Sequence, residues 1–203
     1  MGNHMNKVVD GLYIGSFHDA ESKEGLKENG ITHVLSVHHD AAPLHEDMTY
    51  LCIQAHDDYS QDLLPHFKNA IGFIHECRTS GGVCLVHCLA GVSRSTTLVV
   101  AYLMTATDYG FSDCLNAVKV ARSCVCPNYG FQNQLKKFEA TQVSEYRAWL
   151  RSSFLPSPFN DQELVGALLM QRSEIRGSEE LGRPVKTRIS DLPSGPDDPA
   201  SSS

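Results

Sequence analysis

Residues 95–105 read Ser-Thr-Thr-Leu-Val-Val-Ala-Tyr-Leu-Met-Thr, a stretch that is apolar almost all round a helical wheel. A helix without a polar face has to be surrounded by other elements, so the rest of the chain must wrap it. Directly before it, Val83-Cys84-Leu85-Val86 has the character of a short buried strand. Between them lies a compact loop, His87-Cys88-Leu89-Ala90-Gly91-Val92-Ser93, followed by Arg94 at the head of the helix. A strand, a tight loop and a central helix in that order demand an α/β architecture.

The remaining periodicity agrees. Leu12-Tyr13-Ile14, residues 31–37 and Tyr50-Leu51-Cys52-Ile53 read as strands. Residues 21–29 read as a helix closed by Gly30. Pro65 opens another, striped by Phe67, Ala70, Ile71 and Ile74 and ended by Gly81-Gly82. Ser112 is expected to cap a helix running to Arg122. Asn128 precedes a last long helix with Phe131, Leu135, Phe138, Tyr146 and Trp149 on one side. The expected fold is α/β, with a short, largely parallel central sheet flanked by helices. Residues 1–155 form the expected catalytic domain, a typical single-domain size. Residues 156–203 read as a flexible C-terminal tail, with one short helix over 161–170 and disorder from about Ser173, where serine, proline and charge take over.

The loop carries chemistry. At a strand-to-helix junction the free backbone N–H groups point at one spot, and the helix dipole adds positive potential. Gly91 lets the loop curl where a Cβ would strain it, and the amides from Leu89 through Ala90, Gly91, Val92 and Ser93 to Arg94 converge. Arg94 offers a planar, permanently charged fork for two phosphate oxygens. Cys88 sits in that field, which favours the nucleophilic thiolate. A thiolate beneath a phosphate cradle implies phosphoryl transfer through a phosphocysteine. His87 is expected to fix the loop by hydrogen bonding, and the Ser95 hydroxyl to assist departure of the sulfur. The reaction also needs an acid. Asp57 and Asp58 follow a strand end, where a loop carboxylate can swing over the pocket. Asp57 is the favoured acid; Asp58 reads as a turn cap.

These motifs resemble the cysteine-based protein tyrosine phosphatase superfamily and, within it, the small dual-specificity phosphatases. The resemblance runs from about Asn6 to about Leu150, taking in Ala101-Tyr102-Leu103-Met104 and Pro127-Asn128-Tyr129-Gly130-Phe131. It implies Cys88 as nucleophile, Arg94 as phosphate binder, Asp57 as general acid and Asn128 as a support packed on the phosphate loop. It also implies phosphotyrosine and phosphoserine or phosphothreonine proteins as substrates, with a link to MAP kinase signalling in the Jun N-terminal kinase branch. Gln54 and Cys126 stand where the family pattern has a proline and an asparagine. The opening Met1-Gly2-Asn3 adds an expected myristoyl group on Gly2, although Asn6 occupies the Ser/Thr position of that pattern.

Composition narrows the alternatives. A net charge of −7 without a basic stretch argues against nucleic-acid binding. No apolar run is long enough for a bilayer span, and seven cysteines without a signal sequence suit a reducing compartment. The chain is therefore expected in the cytoplasm or nucleus, with a minor membrane-bound fraction through a single acyl chain. Ten histidines, among them His38-His39, His45 and His56, raise a metal-dependent phosphohydrolase as a rival. No His-x-x-x-His or Cys-x-x-Cys spacing supports it, and neither metal nor cofactor is expected. A phosphoprotein-binding scaffold without turnover is the second rival; the presence of nucleophile and acid argues against it. A loop without lysine argues against phosphoinositides. One redox expectation remains, that Cys84 or Cys124 pairs with an oxidised Cys88.

Overall fold

The computed structural model describes residues 4–181. Five strands form one sheet: β1 (Asn6–Val9), β2 (Leu12–Gly15), β3 (His33–His38), β4 (Thr49–Gln54) and β5 (Cys84–His87). Their order is β1-β2-β5-β3-β4, with β1 antiparallel to β2 and every other pairing parallel. Strand β5 is the axis of the sheet. Cys84 pairs in register with Leu12 on one side and His33 on the other, and every residue of the strand is buried. Alternate side chains of the central strands serve two cores. Leu35, Val37, Cys84 and Val86 face the larger one. Val34 and Leu85 face a smaller one with Met5, Ala20, Leu26 and Ile31, under α1 (Phe17–Glu21) and α2 (Lys23–Glu28).

The large core is centred on α4 (Arg94–Ala106), buried continuously from Arg94 to Thr105 as its composition demands. Around it pack α3 (Phe67–Thr79), α5 (Phe111–Ala121), α6 (Tyr129–Thr141) and α7 (Val143–Ser153). Each fully buried Leu or Val of α4 contributes on the order of 1.5–3 kcal/mol to the folded state. Because β2, β5 and β3 run parallel, their carboxyl ends reach one edge together: Gly15 pairs with His87, and His87 with Ser36. Open α/β sheets bind ligands at such an edge.

Four expectations are corrected. The helix expected over 21–29 is two short helices broken at Ser22, whose hydroxyl caps α2 by accepting from the Gly25 amide. Ser112 is not a cap. Helix α5 starts two residues earlier than a cap at Ser112 implies, after Gly110, and the Phe111 amide is capped across space by the Glu139 carboxylate. A Cβ at position 110 would collide with that carboxylate. The long last helix is two, α6 and α7, meeting at Gln142.

The fourth correction concerns the tail. Helix α8 (Asp161–Leu181) extends well past residue 173 and packs on α5, so the domain does not stop at residue 155. Its first residue locks it down. Asp161 accepts two 2.8 Å bonds from the buried Arg78 of α3. The guanidinium also bonds the Tyr102 hydroxyl and the Asp10 carbonyl, and Phe159 covers it at 4.1 Å. Burial alone would lower the Arg78 pKa, but Asp161 and Tyr102 hold it above the ordinary value.

Candidate active site

The loop from β5 to α4 is best understood through its carbonyls, since each backbone unit must place a donor and an acceptor. Every carbonyl from Cys88 to Ser93 is taken by a group outside the loop. His87 Nδ1 bonds the Cys88 oxygen at 3.0 Å. The Phe17 amide, a free donor at the start of α1, takes Leu89 O. Arg122 takes two, Gly91 O from Nε at 2.9 Å and Ala90 O from Nη2 at 3.3 Å. The Cys126 amide takes Val92 O at 2.8 Å, and Thr97 takes Ser93 O through both amide and hydroxyl. The carbonyls are thus all engaged, whereas the amides of Leu89 to Ser93 ring the loop with no acceptor among the described residues. Gly91 makes the turn with φ +67°, and a Cβ there would overlap the Gly15 carbonyl.

Cys88 lies at the bottom of this ring, 2% exposed, with Sγ 3.2 Å from the Ser95 hydroxyl. Arg94 is 6% exposed and makes one bond, from Nη1 to the Ala55 carbonyl at 3.1 Å; its buried Nε has no partner among the described residues. Nearby, burial and then the Arg94 charge push the His38 pKa down. His87 is hydrogen-bonded on both ring nitrogens. Its Nδ1 faces a carbonyl, which only accepts, so that nitrogen carries the proton and Nε2 accepts from Ser36 Oγ at 2.6 Å. Burial pushes the His87 pKa down to about 4, against the opposing pull of the Cys88 carbonyl. A neutral, fully engaged imidazole is a brace rather than a base.

The two aspartates part company. Asp57 is exposed at the mouth, and its Oδ1 accepts from Asn128 Nδ2 at 2.9 Å. Asn128 also caps α6 through Phe131 N and donates its own amide to Ser93 Oγ, tying the aspartate loop to the phosphate loop. Asp58 points away into its own turn, accepting from the Ser60 amide and hydroxyl; those bonds lower its pKa.

The structure thus gathers Cys88, Arg94, Ser95, the loop amides, His87, Asn128 and Asp57 at one edge of the sheet. Gly2 lies outside the described residues. Cys84 is not part of the gathering: it sits four residues back along β5, about 13 Å at strand rise, beside Cys77, and burial raises its pKa well above the ordinary thiol. The disulfide expectation for Cys84 fails on that geometry. In the sequence Arg122 is only a helix end, and nothing local marks its contact with a loop so distant along the chain. Two of the buried histidines serve backbone and hydroxyl partners, His45 on Ala20 O and His75 on the Tyr102 hydroxyl.

Comparison with known proteins agrees with this geometry. Residues 12–141 match the family model of the dual specificity phosphatase catalytic domain. The chain is 66% identical over 169 residues to dual specificity protein phosphatase 22-A of Danio rerio, covering 83% of this chain and 81% of that protein. It is 56% identical over 163 residues to dual specificity protein phosphatase 22 of Homo sapiens, covering 80% and 89%. The crystal structure of DUSP15 superposes with a TM-score of 0.74 at 46% identity, covering 77% of this chain and 100% of that one.

Proposed function

The chain belongs to the dual specificity phosphatases, and from that premise we propose that its protein phosphatase activity runs through a phosphocysteine on Cys88. The observation that carries this reading is the row of unpartnered donors in the loop and helix start that follow the buried thiol. The loop amides and an unpartnered Arg94 Nε are donors for a tetrahedral dianion, held in place before it arrives. Cys88 Sγ attacks phosphorus in line; the S–P bond forms as the bond to the leaving tyrosine, serine or threonine oxygen breaks. Asp57, oriented by Asn128, gives that oxygen its proton. The Asp57 carboxylate then takes a proton from water as water attacks phosphorus, and the Ser95 hydroxyl donates to the departing sulfur. Phosphate is released.

Hydrolysis of p-nitrophenyl phosphate in EDTA tests the assignment. Activity that is vanadate-sensitive, lost in Cys88→Ser and deprived of its basic limb in Asp57→Ala is the expected result. Turnover surviving Cys88→Ser would refute the nucleophile. Turnover abolished by EDTA would favour the metal-dependent alternative, and none in any form the scaffold.

The finer setting of the activity is part of the same proposal. Its substrates are phosphoproteins of MAP kinase pathways, in the Jun N-terminal kinase branch, which the likeness to the phosphatase 22 proteins supports. Kinase phosphorylation that responds equally to the wild type and to Cys88→Ser would refute it. Gly2 carries a myristoyl chain, giving a cytoplasmic and nuclear protein with a weak, reversible membrane fraction. Absence of label from a myristate analogue, with Gly2→Ala as control, would overturn that assignment.

A further inference from the structure

Beside the site two tyrosines stand in the open with no part in the scheme above. Tyr59 and Tyr129 are each 65% exposed, and no other phenylalanine, tyrosine or tryptophan among the described residues is comparably open. Their rings are parallel to within 4°, with centroids 6.1 Å apart. They come from the two segments joined by the Asp57–Asn128 bond, each within two residues of it. Gly130 brings those segments together: a Cβ there would run into the Tyr59 carbonyl, so the aspartate loop lies flat on the first turn of α6. The pair is therefore a built ledge beside the Asp57–Asn128 bond and, through Asn128, next to the phosphate loop.

The charge around the ledge has one sign. Asp58 sits beside Tyr59, and its bonds to Ser60 keep it a carboxylate. Its Oδ2 carries no hydrogen bond among the described residues. Asp62 follows on the same loop, and residues 57–64 hold no lysine or arginine. On α6 the first basic residue is Lys136, and the site's own Arg94 is buried. His56 is the one titratable cation of the loop, and it stacks on His39, at 5.7 Å, instead of on the tyrosines.

Aromatic faces attract cations through the ring quadrupole, and a guanidinium stacks on them particularly well. A nearby exposed carboxylate adds to the attraction. We infer that Tyr59, Tyr129 and Asp58 form a subsite for a basic side chain, arginine or lysine, of the phosphoprotein substrate. Tyr129 follows Asn128, whose amide bonds Ser93 of the phosphate loop at 2.9 Å, so an extended peptide at about 3.3–3.6 Å per residue reaches the ledge within a few residues of the phosphorylated one. An acidic flank meets Asp58 and is disfavoured. This inference rests on the phosphoprotein phosphatase reading and extends it from chemistry to sequence preference.

The test uses phosphopeptides identical except for one position, arginine or alanine, placed two to four residues to either side of the phosphoresidue. Wild-type enzyme is expected to prefer the best-placed arginine peptide by about three- to tenfold in kcat/KM, mostly through KM and less so at high salt. In Tyr59→Ala/Tyr129→Ala, and separately in Asp58→Asn, the ratio of the two peptides is expected to fall to within about twofold. The side chains are exposed, so the variants keep the fold, and each ratio is internal to one protein. A wild-type ratio of one at every position, a preference for acidic flanks, or a ratio unmoved by both variants would overturn the inference. Loss of all turnover on peptides and on p-nitrophenyl phosphate in the wild type would instead overturn the parent reading, and this one with it.

Discussion

Arg78 and Arg94 lie at similar depth in the same large core, 1% and 6% exposed, and the fold treats them oppositely. Every nitrogen of Arg78 has an acceptor, supplied by Asp10, Tyr102 and both oxygens of Asp161. Arg94 has the Ala55 carbonyl and an Nε with no partner. A buried cation left without counter-charge is costly, so the first arginine holds the molecule together while the second waits for a dianion to complete it. Burial and residue type do not distinguish the two. Completeness of hydrogen bonding does.

The contrast is broken most sharply at Arg94. Arg94→Ala is expected to lower kcat/KM on p-nitrophenyl phosphate by about 10³-fold, with Tm unchanged or raised because an uncompensated charge is gone. A fall in Tm with activity retained would invert the assignment. Arg78→Ala is expected to do the reverse. It leaves Asp161 buried and unpaired, at a cost of about 3–5 kcal/mol in urea unfolding, while kcat per folded molecule stays within about threefold. A smaller stability loss would mean that α8 is held elsewhere.

Acid sharpens the comparison from another side. The His87 brace has a folded pKa of about 4 against 6.5 for the unfolded residue, so its contribution is whole above pH 6.5. As pH falls from 6.5 to 4 the unfolded chain binds a proton that the folded one refuses, and stability declines by about 3 kcal/mol. A stability–pH curve of His87→Gln running parallel to the wild type would refute this. The mildest case is Arg122, which combines both behaviours by bonding loop carbonyls at one end and His4 O and Asn6 Oδ1 at the other. Arg122→Ala is expected to lower kcat/KM about 10- to 100-fold and to weaken vanadate inhibition in parallel. Weakened turnover with unchanged vanadate affinity would separate it from the phosphate loop.

The sequence made legible what is local. Strand β5, its loop and helix α4 are contiguous, and residue types there carry the chemistry directly; Gly91, with its positive φ, is an example. Asp57 and Asn128 were found as separate motifs, but their mutual bond joins segments far apart along the chain. Arg122 escaped notice for the same reason, since an arginine at a helix end has many ordinary uses. The start of α5 is not legible locally because its cap is the Glu139 side chain from α6, which no window around Ser112 contains. No glycine or proline marks the break between α6 and α7. The length of α8 was underestimated because its composition turns polar after residue 170, while its anchor is a buried ion pair with α3 at its first residue. Local pattern fixes elements; partners across the fold fix their ends.

The burial of α4 has a consequence in time. A helix enclosed from Arg94 to Thr105 cannot fray at its active-site end without opening the core it centres. Its amide protons are therefore expected to exchange with solvent only through global unfolding. Arg94 and Ser95 belong to that enclosed turn, so the phosphate-binding guanidinium and the hydroxyl beside Cys88 are held in place for as long as the chain stays folded.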